Sequence, residues 1–310
     1  MSTDNPQLLY STLEPLMAWQ FQVKTRKFVA HQALQAQQTG THHALRKGRG
    51  MSFSEVRQYQ PGDDIRHMDW RVTARTQKPH TKVFIEEHER PTLLVCEQSP
   101  ALFFASQTRL KAVQALNICA ILGWVALAQH DKVGSLSFNH LNQAWQAPKN
   151  SPTTLMHGLQ NAIQLQSQLN APAAVSSSLW QNALQKLTQM VKPGSKIFFV
   201  GDLLNLNTTS LTLLSQLRRH NELVAIHIVD PLEQSLPKLG WLSLQATPDA
   251  DTAPMRLNSF KDSTRTDYAD SYVRAWQEAQ AHCITLGIPL IQIANTDHPL
   301  HALLAHKVIQ

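Results

Sequence analysis

Five short apolar runs, each parted from the next by a stretch of helical periodicity, constrain this chain more than any other feature. They are TLLVCE (92–97), KVGSLSF (132–138), KIFFVG (196–201), LVAIHIV (223–229) and IPLIQIA (288–294). Helical segments are expected between and around them, at about 108–128, 153–169, 178–191, 208–219 and 265–286. Strands apolar on both faces must be covered on both faces, so the alternation predicts an α/β fold with a mainly parallel sheet sandwiched by helices. NQAWQA (142–147) reads as an added edge strand paired with the one before it, and 231–264 as a long surface excursion carrying a hairpin.

The first ninety residues follow a different grammar. Apolar positions from Leu8 to Leu34 predict helical segments, and residues 41–90 run through the turn RKGRG, a strand-like SFSEVRQYQ, the turn PGDD and an extended TKVFIEEHE. The expected organisation is a helical and β-rich region over 1–90 and an α/β domain over 91–310. The longest apolar run, LNICAILGWVALA (116–128), is short of the roughly 20 residues a membrane span needs and reads as a buried helix. The polar opening stretch resembles no export signal, and Cys96, Cys119 and Cys283 are too far apart for a disulfide framework or a zinc knuckle. A cytoplasmic protein with free thiols is expected.

The net charge of +6 is unevenly placed, since residues 24–82 hold twelve Lys or Arg against four acids. Lys24, Arg26, Lys27, Arg46, Lys47 and Arg49 are the candidate contacts for an acidic partner surface. Nucleic acid is the weaker partner, because stacking aromatics are not interleaved with these charges. No phosphate-binding loop, dinucleotide fingerprint, nucleophile elbow or HExxH pair is found. His298, His301 and His306 fit a short helix with a solvated face.

In an open parallel sheet, ligands gather beyond the carboxyl ends of the strands where the strand order reverses. Two strands end in an acid, Glu97 and Asp202, and would converge if they are neighbours there. With Ser99 and Thr153 or Thr154 they form an oxygen-only set suited to Mg²⁺. The same residues serve equally well as turn and helix caps.

The remaining concentration of charge is EVRQYQPGDDIRHMDWRVTAR (55–75). Arg57, Arg66, Arg71 and Arg75 stand beside Asp63, Asp64 and Asp69, a composition suited to guanidinium–carboxylate forks. Gly62 frees the turn, Trp70 is expected to anchor the segment against the α/β part, and Tyr59 adds an amphipathic contact, so the stretch reads as a structural brace.

The spacing Phe53-x-x-x-Arg57-x-Tyr59-x-x-Gly62-Asp63-Asp64-x-Arg66-x-x-Asp69-Trp70-x-x-x-Ala74-Arg75 resembles the signature of the domain-of-unknown-function 58 family. The resemblance implies a bacterial protein with a von Willebrand factor A-like α/β domain, acting with a MoxR-type AAA+ ATPase. It also implies a metal-ion-dependent adhesion site beginning Asp-x-Ser-x-Ser, where this chain has Glu97-Gln98-Ser99-Pro100-Ala101. Thr154 and Asp202 match the distant ligands, but Glu97 is one methylene too long and Ala101 offers no oxygen, so Mg²⁺ binding is expected to be weak. The expected function is a non-enzymatic interaction module for assembly or maturation of client proteins. The alternatives are a Mg²⁺-dependent hydrolase using Glu97 and Asp202, and a nucleic-acid binder using residues 24–82.

Overall fold

The computed structural model describes residues 10–29, 52–60, 65, 68–85, 90–169, 178–204, 206–244 and 255–310, apart from the side chains of 52–55, 82–85, 244 and 255. The chain forms two compact units, Met1–Thr41 with Arg90–Gln310, and His42–Glu89. In chain order the elements are α1 (Leu13–Gln22), β1 (Ser52–Gln58), α2 (Trp70–Thr76), β2 (His80–Ile85), β3 (Pro91–Glu97), α3 (Lys111–Ala128), β4 (Lys132–Phe138) and β5 (Gln143–Lys149). Then follow α4 (Pro152–Gln166), α5 (Leu179–Met190), β6 (Lys196–Gly201), α6 (Thr208–Arg218), β7 (Glu222–Val229), α7 (Pro231–Gln234), β8 (Trp241–Leu244), β9 (Met255–Asn258), α8 (Asp262–Leu286), β10 (Leu290–Ala294) and α9 (Pro299–Ala305).

The larger unit is built on a sheet of order β10-β7-β6-β3-β4-β5, parallel throughout except for β5, which runs antiparallel to β4 at the edge. Side-chain alternation along each strand feeds two separate cores. Leu94 and Cys96 of β3, with Phe198 and Val200 of β6, face a layer containing α1, α3, α4 and α9. Leu93, Val95, Ile197 and Phe199 face α5, α6 and α8. This period of two explains why the strands present apolar residues to both faces. The expected hairpin in the excursion is β8–β9.

The helix α3 is long and apolar enough to cross a membrane by length and composition, but it lies almost wholly buried in the first core. At Gly123 a Cβ would fall 2.5 Å from Leu155 and 3.2 Å from Leu94, so only glycine lets α3 approach α4 and the sheet this closely.

The N-terminal helix groups with this unit, not with the rest of residues 1–90 as expected; the units part between Glu89 and Arg90. The Trp124 indole donates to the Leu16 carbonyl at 2.9 Å and the Trp19 indole to Asn117 at the same distance, fixing α1 on α3. Residues after Gln22, expected to continue as helix, instead form an extended strap. Lys27 and Gln310 exchange backbone hydrogen bonds of 3.0 and 2.8 Å, and Val29 donates to Val308 at 3.1 Å. The Phe28 ring packs 5.2 Å from Phe198, so the strap is held by the core as well as by its ladder.

The smaller unit pairs β1 with β2 antiparallel and carries α2 between them in sequence. Asp69 caps α2, its Oδ1 accepting the N–H groups of Arg71 and Val72 at 3.1 Å. Arg57 is half-buried and donates to the Gln58 carbonyl, while the Tyr59 N–H reaches Pro79. Trp70, expected as an anchor, is 65% exposed at the first position of α2, a helix with no buried residue, and Arg75 is also exposed. Gly62, Asp63, Asp64 and Arg66, the rest of the expected brace, lie outside the described residues, as do Arg46, Lys47 and Arg49.

Because its carboxylate satisfies two N–H groups of the first turn, Asp69→Ala should cost about 1 kcal/mol, and Asp69→Ser should recover most of it. Hydrogen exchange at the Arg71 and Val72 amides should quicken in the alanine variant alone; unchanged protection there would show that the cap does not hold the helix.

Candidate functional site

The strand order reverses between β3 and β6, so their carboxyl ends meet at the switch point. Glu97 ends β3 fully buried, with both carboxylate oxygens engaged by the protein. Ser99 Oγ donates to Oε1 at 2.5 Å, while the Trp180 indole and the Asp202 N–H donate to Oε2 at 3.1 and 2.7 Å. Gly201 makes this fit possible, because a Cβ there would stand 2.4 Å from Oε2 and 2.9 Å from the Trp180 ring. Burial, and then the neighbouring Asp202 carboxylate, push the Glu97 pKa from 4.5 up to about 7.

Asp202 turns its side chain toward a group the sequence reading missed. Lys111, the first residue of α3, is completely buried and places Nζ 2.9 Å from Glu233 Oε1 and 3.5 Å from Asp202 Oδ2. Burial works against its charge, but the carboxylates of Asp202 and Glu233 outweigh that and hold its pKa above the ordinary lysine range. Glu233 also closes a capping box on α7: its Oε2 accepts the Asp230 N–H at 2.9 Å.

His227, buried on β7, accepts the Leu203 N–H at 3.2 Å through Nδ1, 3.7 Å from Asp202 Oδ1. Its proton therefore sits on Nε2, which has no hydrogen-bond partner among the described residues. Burial lowers its pKa from 6.5 to about 4, so the ring is neutral at neutral pH.

Along the rest of this edge most polar groups are engaged internally, although Asn295 Oδ1 has no hydrogen-bond partner among the described residues. Asp230 accepts the Ser106 N–H and hydroxyl, the Leu232 N–H and the Asn295 amide at 2.5–2.9 Å. Asn139 Oδ1 accepts the N–H groups of Leu141 and Asn142.

Of the four expected metal ligands, Glu97, Ser99 and Asp202 come together. Thr154 is buried near the start of α4, and no hydrogen bond joins it to the other three. Ser99 is turned inward, donating to Glu97 and accepting the Ala101 N–H at 3.2 Å. Ala101 supplies no oxygen, and a lysine ammonium already stands among the acids. This donor set does not fit a divalent cation. Among the described residues no group of three or more His, Cys, Asp or Glu side chains is arranged to hold one.

The missed residues left faint traces in the sequence. Lys111 is the sole charge at the head of an eighteen-residue apolar helix, and His227 interrupts an otherwise apolar strand. The expected histidine surface fits better: His298 caps α9 and stacks edge-on against Trp19 at 5.7 Å.

The fold and its switch point define a doubly wound α/β domain whose acidic edge is held by internal hydrogen bonds and a buried ammonium. The chain belongs to the family described as "Protein of unknown function DUF58", which matches residues 55–278. It is 28% identical over 271 residues to the uncharacterized proteins Mb1516 of Mycobacterium bovis and Rv1480 of Mycobacterium tuberculosis, covering 87% of this chain and 83% of theirs. Similar solved structures include the conserved hypothetical protein BatB from Bacteroides thetaiotaomicron, at 12% identity and TM-score 0.40 over 71% of this chain and 96% of that one. Another is the SpRpn10 VWA domain, at 12% identity and TM-score 0.30 over 69% and 93%.

Two opposed proton linkages follow from this cluster. Glu97 binds its proton more tightly in the folded state, so its contribution to stability falls as pH rises from about 4.5 to 7. His227 binds its proton more weakly when folded, so its contribution rises between about pH 4 and 6.5. Urea midpoints across this range should show Glu97→Gln gaining on the unaltered protein as pH rises and His227→Gln losing ground. Parallel curves for all three proteins would contradict the assignment.

Proposed function

We propose that this protein is a non-enzymatic interaction module that works with a MoxR-type AAA+ ATPase in assembling or maturing client proteins, and that its partners dock away from the carboxyl edge of the sheet. The observation that carries this reading is the internal saturation of that edge. Glu97 accepts from three protein donors and the partly exposed Asp202 faces a buried ammonium, which leaves poor terms for activating water or gripping a partner's carboxylate. The same saturation disfavours the hydrolase reading.

A different surface suits an acidic partner. Lys24 and Lys27 are exposed on the strap after α1, and Lys24 Nζ lies 5.7 Å above the ring of Phe21, itself 69% exposed. Arg26 is half-buried beside them. Because the strap is laddered to Val308–Gln310, these charges and the exposed ring are held in place before any encounter, which lowers the entropy lost on binding. We further propose that Arg46, Lys47 and Arg49, which lie outside the described residues, also contribute charge toward an acidic face of a ring-forming ATPase. Nucleic acid stays the weaker partner, since Phe21 beside Lys24 and Lys27 is by itself a poor stacking platform.

Pull-downs from the native host with tagged protein test this. Lys24→Glu with Lys27→Glu should lose the ATPase and its accompanying proteins, whereas Asp202→Asn, if folded, should retain them. Loss in the Asp202 variant alone would make the sheet edge the working site.

A further inference from the structure

Three carboxylates, Glu97, Asp202 and Glu233, surround the switch point, and one fully buried ammonium faces them. The geometry points to Lys111 as a tethered cation: it supplies the positive charge that an exchangeable divalent ion would otherwise provide at this edge, and it thereby closes a latent cation site.

Several independent features support this. Lys111 is among the largest fully buried side chains, and burying an ammonium is tolerable only where carboxylates compensate it closely. Its two contacts join the end of β6, through Asp202, to the α7 cap that follows β7, through Glu233, which is the bridging task a bound ion performs. A divalent ion added beside it would meet a like charge a few ångströms away in a weakly screening interior.

Lys111 itself occupies the oxygens that such an ion would take first, those of Asp202 and Glu233, and the deeper oxygens are held by the protein. Ser99 and both oxygens of Glu97 serve one another, Trp180 and Asp202. The spare polar atom in the cluster, Nε2 of His227, carries a proton and so offers a donor where a cation needs a lone pair. The inference concerns cation chemistry alone and stands whichever partner the protein binds.

Removing the ammonium should unmask the site. Terbium luminescence is the direct probe, since Trp180 is hydrogen-bonded to Glu97 and would sensitise a bound ion, with Mg²⁺ measured by calorimetry. Full-length Lys111→Ala should bind both ions at least tenfold more tightly than the unaltered protein, and adding Asp202→Asn should remove the gain.

If Lys111→Ala is poorly folded, its melting temperature should climb with millimolar MgCl₂ and not with NaCl of equal ionic strength. The inference is overturned if the unaltered protein binds as tightly as Lys111→Ala through Asp202. It is equally overturned if Lys111→Ala neither binds these ions nor gains melting temperature from Mg²⁺.

Discussion

One buried ammonium organises the carboxyl edge of this sheet. In a right-handed crossover from β3 to β4 the intervening helix runs back along the sheet, so its first residue lies where the strands end. Lys111 is that residue of α3. A cation at a helix N-terminus opposes the helix dipole, and burial adds a desolvation cost; neither is sustainable without anions close by. Asp202 and Glu233 meet that need, and Glu97 adds a more distant attraction. The position of α3, the end of β6 and the cap after β7 are therefore one electrostatic problem with a common solution.

The fold was legible because its signal is local and repeated. Five predominantly apolar runs, buried on both faces, require a sheet covered on both faces, and all five are strands of it. The antiparallel edge was readable from NQAWQA, whose half-buried residues in β5 contrast with the fully buried inner strands. The region before β3 was harder. Val23 and Phe28 fall in a stretch that reads as helical, yet they belong to a strap, Val23 buried and Phe28 partly so, whose ladder partners lie nearly three hundred residues away, at Val308–Gln310. Such a pairing leaves no mark in local periodicity.

The site was legible by half. Glu97 and Asp202 announce themselves as acids ending apolar strands, and topology alone brings such ends together. What they do there depends on Lys111, Trp180, His227 and Glu233, which come from four separate elements. Lone polar residues in apolar or capping contexts are ordinary, so sequence spacing could not convert these into a cluster. Asp69 is the converse case: it looks like one half of an ion pair in a charge-rich stretch, while its position just before a helix gives it a capping role.

The strap between α1 and the last residues has a consequence for the order in which the protein can be made. The sheet from β3 to β5 can collapse around α3 while synthesis continues, but the ladder at Lys27 and Val29 has no partner until Val308–Gln310 have been translated. Until then Phe28 lacks the strand that pins it over Phe198, and Lys24 and Lys27 lack the ladder that holds their strap. A surface that depends on residues so far downstream cannot take shape on a chain that has not yet reached them.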